Sequence, residues 1–315
     1  MVDLSVTVGG VTLANPILPA SGTFSAELAR VIDLNRLGAL VTKTVSRGYR
    51  AGNPPPRVAE TEAGMINSIG LPTRGLEHFL EVQLPEYRRY TSPLVCSITA
   101  ETVEDFAAMA RDVSVTGVAA IELNISCPTR KPGGGNFALN ERHTFEVVER
   151  CRAATTKPLW AKLSPNAGEI GAVAEAAERA GADALTVANT ILGLKIDLDT
   201  LRPAIGNGYG GVSGPGIKPI VLRMVHQCSK CVKIPIIGCG GIMTVEDVVE
   251  YLLAGASAVE VGYASFRSPT AMIALIDGLG EWCRRRGFAR VADLSGAMRD
   301  HPPRDIYEAG MIGIG

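Results

Sequence analysis

Residues 235–262 read PIIGCGGIMTVEDVVEYLLAGASAVEVG, and the period of the apolar residues changes twice along them. Pro235–Cys239 is a short, nearly continuous apolar run, the pattern of a strand buried on both faces. It ends in Gly240-Gly241. Thr244 then stands as an N-cap before the acidic pair Glu246-Asp247, and Val245–Leu253 follows as a helix. Ala254-Gly255-Ala256 turns the chain into a second apolar run, Ala258–Val261, which stops at Gly262. Strand, helix and strand in that order make a crossover, and a crossover joins parallel strands.

Outward from this unit the same alternation recurs. Strand patterns stand at Ile17–Ala20, Ala39–Thr42, Leu94–Ile98, Ala119–Asn124, Leu159–Leu163 and Ala184–Ala188. With the two runs above they make eight. Helix patterns fall between them at Ala26–Leu37, Val103–Asp112, Thr144–Ala154, Glu169–Ala180 and Ile217–Gln227, and Thr102 caps the second of these. Eight β-α units in one chain of 315 residues predict an α/β fold, a (β/α)8 TIM barrel forming one domain over residues 1–315. The alternative is a doubly wound open sheet. Leu4–Val8 and Val11–Leu13 around Gly9-Gly10 read as a short β-hairpin in front of the barrel. The longest stretches without a pattern, Val45–Arg74, Ile125–Asn140 and Ile191–Gly216, all follow strands, the end at which barrels build their sites.

Composition narrows the class of function. Lys plus Arg number 31 and Asp plus Glu 32, so no net field draws the protein to nucleic acid or anionic lipid. The run Arg284-Arg285-Arg286 reads as a solvated helix end. No signal-peptide pattern and no run of about eighteen apolar residues is present, which predicts a cytoplasmic protein that neither crosses nor binds a membrane. Seven scattered cysteines then read as reduced thiols. Cys228 and Cys231 form a C-x2-C pair with no second pair at a metal-binding spacing, and no metal is expected.

Polar residues gather where the strand patterns end: Ser21, Lys43, Asn124, Lys162, Asn189, Gly240 and Gly262. Any one alone is an ordinary loop residue; seven in phase mark a barrel mouth with a site. Gly240-Gly241 and Gly262 follow what would be the seventh and eighth strands, where barrels commonly bind phosphate through backbone N–H groups. Cys127, in Asn124-Ile125-Ser126-Cys127-Pro128, is placed to serve as a nucleophile or a base, whereas Cys96, Cys239 and Cys283 read as inert buried thiols. Neither an H-E-x-x-H motif nor a paired-carboxylate pattern supports hydrolysis.

The segments Asn124–Pro128, Asn67–Leu71, Ala161–Asn166, Asn189-Thr190, Gly210–Pro215 and Gly238–Ile242 together resemble the class 1 dihydroorotate dehydrogenases, in family order and over almost the whole chain. Ser126-Cys127-Pro128 points away from the membrane-associated class, which uses Ser as base. Asn189-Thr190 and Leu194–Asp197 look most like the class 1B catalytic subunit, which passes electrons to NAD through a partner carrying FAD and an iron–sulfur cluster.

The resemblance implies FMN as cofactor and oxidation of (S)-dihydroorotate to orotate in pyrimidine biosynthesis, with Cys127 as base and Lys162 beside the flavin. FMN contacts would come from Ser21, Lys43, Thr44, Ser97, Asn124, Lys162, Ala188 and Gly214, with Gly240, Gly241, Gly262 and Tyr263 at its phosphate. Substrate contacts would come from Lys43, Asn67, Ser68, Ile69, Gly70, Leu71, Asn124, Asn189 and Thr190. A homodimer or a heterotetramer with the FAD and iron–sulfur subunit is the implied assembly. Three positions depart from the family pattern: Thr129 and Thr73 stand where Asn is usual, and Tyr263 where a small Thr is usual. A Thr lacks the two-faced amide, so a pyrimidine hydrogen bond is lost, relocated or bridged by water. Alternatives are a dihydropyrimidine dehydrogenase-like activity on uracil or thymine derivatives and a fumarate-dependent class 1A enzyme. A flavin barrel acting on tRNA uridines is disfavoured by the balanced charge, and a non-catalytic FMN module by the presence of both Cys127 and Lys162.

Overall fold

Each of the eight apolar runs forms a strand buried along its whole length in the computed structural model, which describes residues 2–127 and 136–299. The barrel strands are β1 (Ile17–Pro19), β2 (Leu40–Val41), β3 (Leu94–Ile98), β4 (Ala120–Asn124), β5 (Leu159–Lys162), β6 (Ala184–Val187), β7 (Ile236–Gly238) and β8 (Ala258–Val261). They pair in parallel in the order β1-β8-β7-β6-β5-β4-β3-β2. The Gly38 N–H donates to the Ile17 carbonyl at 2.9 Å, which brings β2 back to β1. Only glycine fits there, because a Cβ on Gly38 would lie 2.1 Å from the Asn15 carbonyl oxygen. The α/β-barrel reading therefore holds and the open sheet does not.

Helices Val103–Asp112, Glu141–Ala154, Ile170–Arg179, Lys218–Cys231, Val245–Leu253 and Ala271–Arg286 follow β3 to β8 in turn. Thr102 and Thr244 cap theirs through side chains that accept the Asp105 and Asp247 N–H groups. The three consecutive arginines end the last helix, exposed. The hairpin pairs Val6–Val8 with Val11–Leu13, and Gly9 and Gly10 both take positive φ in its turn. Among the described residues no helix is long and apolar enough to cross a membrane.

Two expectations need correction. Ala26–Leu37 is not one helix but two short 3-10 turns, Ala26–Arg30 and Leu34–Arg36. The Asp33 side chain accepts the Asn35 N–H and starts a new turn, while the Asn15 carboxamide takes the Arg36 carbonyl. Such local side-chain bonds compete with helix propagation. The stretches 45–74 and 191–216 are not irregular throughout either. Val58–Thr61, Gly64–Asn67, Ile191–Gly193 and Gly210–Ser213 form a four-stranded antiparallel sheet that stands over the barrel mouth. Pro128 and Thr129 lie outside the described residues, so the pattern-free stretch 125–140 is described only in part.

Candidate active site

Side chains and backbone at the carboxyl ends of the barrel strands enclose one cavity of about 580 Å³. Ser21 follows β1, Lys43 and Thr44 follow β2, and Asn124 and Lys162 are the last residues of β4 and β5. Ala188, Asn189 and Thr190 follow β6, Gly240 and Gly241 follow β7, and Gly262 and Tyr263 follow β8. Cys127 joins them three residues beyond β4 and is only 6% exposed. The antiparallel sheet forms the roof, with Asn67, Met65 and Ser213, continued by Ile69, Gly70 and Leu71 and by Gly214. Two residues read from the sequence stand behind this wall. Ser97 is fully buried with its hydroxyl 3.0 Å from that of Thr44, and Ser68 is buried with its hydroxyl accepting from Asn53. Thr73 does not line the cavity; it bridges to Arg50, and its hydroxyl accepts the Gly75 N–H.

A relay of uncharged polar groups crosses the floor. The Asn124 amide donates to Thr44 Oγ1 at 3.0 Å, and the Asn189 amide donates to Ser126 Oγ at 3.1 Å and to Asn124 Oδ1 at 3.5 Å. Asn189 Oδ1 accepts the Thr190 N–H at 2.8 Å, and Asn67 Nδ2 reaches the Gly211 carbonyl at 3.2 Å. These bonds fix amides that present donors and acceptors to a planar polar ligand. Two thiols reach the cavity wall. Burial pushes that of Cys239 up to about 12, so it stays protonated, as do Cys96, Cys151 and Cys228 for the same reason.

The cavity floor also carries charge. Lys162 Nζ lies 2.6 Å from Glu260 Oε2 and 3.5 Å from Glu122 Oε2, and both carboxyls are buried. Burial lowers the Lys162 pKa, but the neighbouring carboxyl groups of Glu122 and Glu260 outweigh it and hold the ammonium above the ordinary lysine range. Lys43 is held below that range by partial burial and by the charge of Arg57. Sequence reasoning missed Glu122 and Glu260. The signal was present, since each is a lone charge inside an apolar strand run.

Between β7 and β8 the backbone makes an anion cradle. Among the described residues, the N–H groups of Gly240, Gly241 and Tyr263 have no protein acceptor. Gly241 takes φ +70°, and a Cβ there would lie 2.8 Å from the Gly214 carbonyl oxygen. Asp247 anchors the turn from behind, accepting the Met243 and Thr244 N–H groups at 2.8 Å each and meeting Lys218 at 2.6 Å. Burial raises the Asp247 pKa, but Lys218 and the two N–H groups outweigh it and hold the carboxyl below its ordinary 3.8. A depressed carboxyl contributes stability above its unfolded pKa and loses it as pH falls through the folded value. Asp247→Asn is therefore expected to cost about 1.5–3 kcal/mol at neutral pH. It should also flatten the acid limb of the stability curve below pH 3.8, as urea midpoints at successive pH values will report. An unchanged acid limb would remove Asp247 from that role.

A closed barrel with a polar cavity at its carboxyl end and, among the described residues, backbone N–H groups without protein acceptors after its seventh and eighth strands defines the class: an α/β barrel whose strand ends form a candidate ligand site. A family model described as dihydroorotate dehydrogenase matches residues 3–282. Three relatives bear the name "Dihydroorotate dehydrogenase B (NAD(+)), catalytic subunit". That of Thermoanaerobacter sp. (strain X514) is 43% identical over 299 residues, covering 94% of this chain and 99% of the relative. Those of Trichlorobacter lovleyi and Shouchella clausii are each 45% identical, covering 94% of this chain and 98% of the relative. The chain belongs to the dihydroorotate dehydrogenase family, and the resemblance to its class 1B catalytic subunits holds along nearly its full length.

Proposed function

We propose that the protein oxidises (S)-dihydroorotate to orotate with FMN bound in the cavity and Cys127 as the base. The observation that supports this most directly is convergence: Cys127, Lys162 and the carboxamides of Asn67, Asn124 and Asn189 face one cavity beside the backbone N–H groups of Gly240, Gly241 and Tyr263. The donors present fit FMN. Gly240, Gly241 and Tyr263 offer N–H groups to its phosphate, and Lys162, Thr44, Asn124 and Ser21 line the wall for its ring. FMN, when bound, supplies a two-electron acceptor for the hydride from ring carbon 6 of the substrate. Cys127 takes the proton from ring carbon 5. The Asn side chains orient the pyrimidine edge, and Lys43 offers positive charge to the substrate carboxylate. The roof keeps bulk water from the reacting face.

The electrons leave through a partner subunit carrying FAD and an iron–sulfur cluster, on to NAD. In support, the relatives above are named as catalytic subunits of NAD-type enzymes. The sequence also has no G-x-G-x-x-G between a strand and a helix, the fingerprint of direct dinucleotide binding. Purified protein should be yellow and release FMN on denaturation. In stopped flow, the dihydroorotate-reduced chain should react with artificial dyes but with neither NAD nor fumarate, and adding the partner should restore reduction of NAD. Rapid reoxidation by fumarate would favour a class 1A acceptor instead, and recovery of FAD alone would overturn the cofactor.

A further inference from the structure

Three charged side chains meet inside the barrel mouth from three strands: Glu122 on β4, Lys162 on β5 and Glu260 on β8. All three are sealed from solvent. The hydroxyl of Thr186 on β6 lies 3.4 Å from an oxygen of each carboxyl group. One cation faces two buried carboxyls, and a site shut off from water does not readily hold the excess negative charge. Glu122 Oε1 is moreover buried with no hydrogen-bond partner, a costly state for an acceptor. A single proton shared by the two carboxyls removes the excess charge and gives the pair a donor that the carboxylates alone lack.

We propose that Glu122 and Glu260 share one proton and act as the positioning pair of Lys162, fixing its ammonium at the cavity wall and setting the net charge that wall presents to the cofactor ring. The role in charge-setting rests on the reading that FMN occupies the cavity. Burial, then the nearby Glu122, pushes the Glu260 pKa up to about 8. In Glu122 burial is outweighed by the charge of Lys162, and the carboxyl stays below its ordinary range. The other groups facing the pair are the protonated thiols of Cys96 and Cys239 and the hydroxyls of Ser21, Ser97 and Thr186. With one proton on the pair the cluster is neutral, and when that proton leaves one net negative charge remains. Where the pair has lost its proton, two-electron reduction of a ring bound against that wall, with the electrons supplied by the substrate, would favour the return of that one proton to the pair.

Two measurements test this. The first uses wild-type protein labelled with 13C at the glutamate side-chain carboxyl, followed by NMR from about pH 5 to about pH 10. One carboxyl should titrate near pH 8, and that step should vanish in Glu260→Gln. If every glutamate titrates below about pH 6, the shared proton does not exist. This titration needs neither cofactor nor variant, so it decides the matter even if Glu260→Gln fails to fold. The second follows the midpoint potential of the FMN-loaded protein over the same range. The wild type should gain about 30 mV of downward slope per pH unit around pH 8, the equivalent of one more proton per two electrons. Glu260→Gln should lack that slope and lie above the wild type at alkaline pH. Equal slopes with FMN bound would overturn the charge-setting role. Failure of the wild type to bind FMN would instead sink the functional reading, leaving the first measurement to decide on the shared proton.

Discussion

Cys127→Ala is expected to slow the bleaching of the flavin by dihydroorotate by about a hundred- to ten-thousandfold while FMN stays bound. The expectation comes from its place: a buried thiol on the cavity wall, next to Ser126, which the Asn189 amide fixes. Removing a general base takes away the proton acceptor in the transition state and leaves the binding surface in place. Cys96→Ala serves as the control, because that thiol is wholly buried in the core and does not line the cavity. Cys127→Ser should regain part of the rate as pH rises, since a hydroxyl is harder to deprotonate than a thiol. Single-turnover bleaching gives the rate directly, and a Cys127→Ala protein that bleaches at the wild-type rate would exclude the thiol from the chemistry.

Lys162→Met should have the largest effect on stability, a loss of about 3–5 kcal/mol, because it strands two buried carboxyls without their cation. The sign of the pH dependence follows from burial. With the ammonium gone, desolvation raises the folded-state pKa of both carboxyls. Their contribution is then complete below the unfolded carboxyl range and is lost as pH rises through the raised values. The variant should come nearest to the wild type in acid and be weakest in alkali. Adding Glu122→Gln and Glu260→Gln should restore much of the alkaline loss. Urea midpoints at about pH 5 and about pH 9 measure this, and a single variant as stable as the wild type at the higher pH would show that the cluster is not charged as described.

The barrel was legible in the sequence because its strands are buried on both faces and so read as unbroken apolar runs, as in Leu94–Ile98 and Ala258–Val261. The cavity floor was legible for a related reason. Lys162 and Asn124 are polar residues at the ends of such runs, where only a site justifies them. The roof was not legible. Its strands carry Gly64, Gly193, Gly210 and Gly211, they are short, and their partners lie far along the chain, so neither propensity nor alternation marks them. Ala26–Leu37 misled because its apolar spacing suits a helix while Asp33 offers the backbone a competing bond. The anchoring of Lys162 by Glu260 joins residues 98 positions apart, a contact that becomes apparent only when the barrel closes.

The roof also bears on how the protein comes to exist. Asn67 and Gly211 are hydrogen-bonded across 144 residues of chain, so joining the two loops carries the loop-closure cost of a distant pairing. On the ribosome, the ceiling of the cavity is missing until the chain beyond Ser213 has emerged. The glycines of the anion cradle and Glu260 come later still, with β7 and β8, so the site is complete only after the last barrel strand has emerged. Ligand acts late, as a latch on an assembled barrel, where it raises the population of the finished fold by mass action. Mutations that loosen the roof should thus be rescued in cells by abundant ligand, whereas mutations that slow closure of the early strands should not.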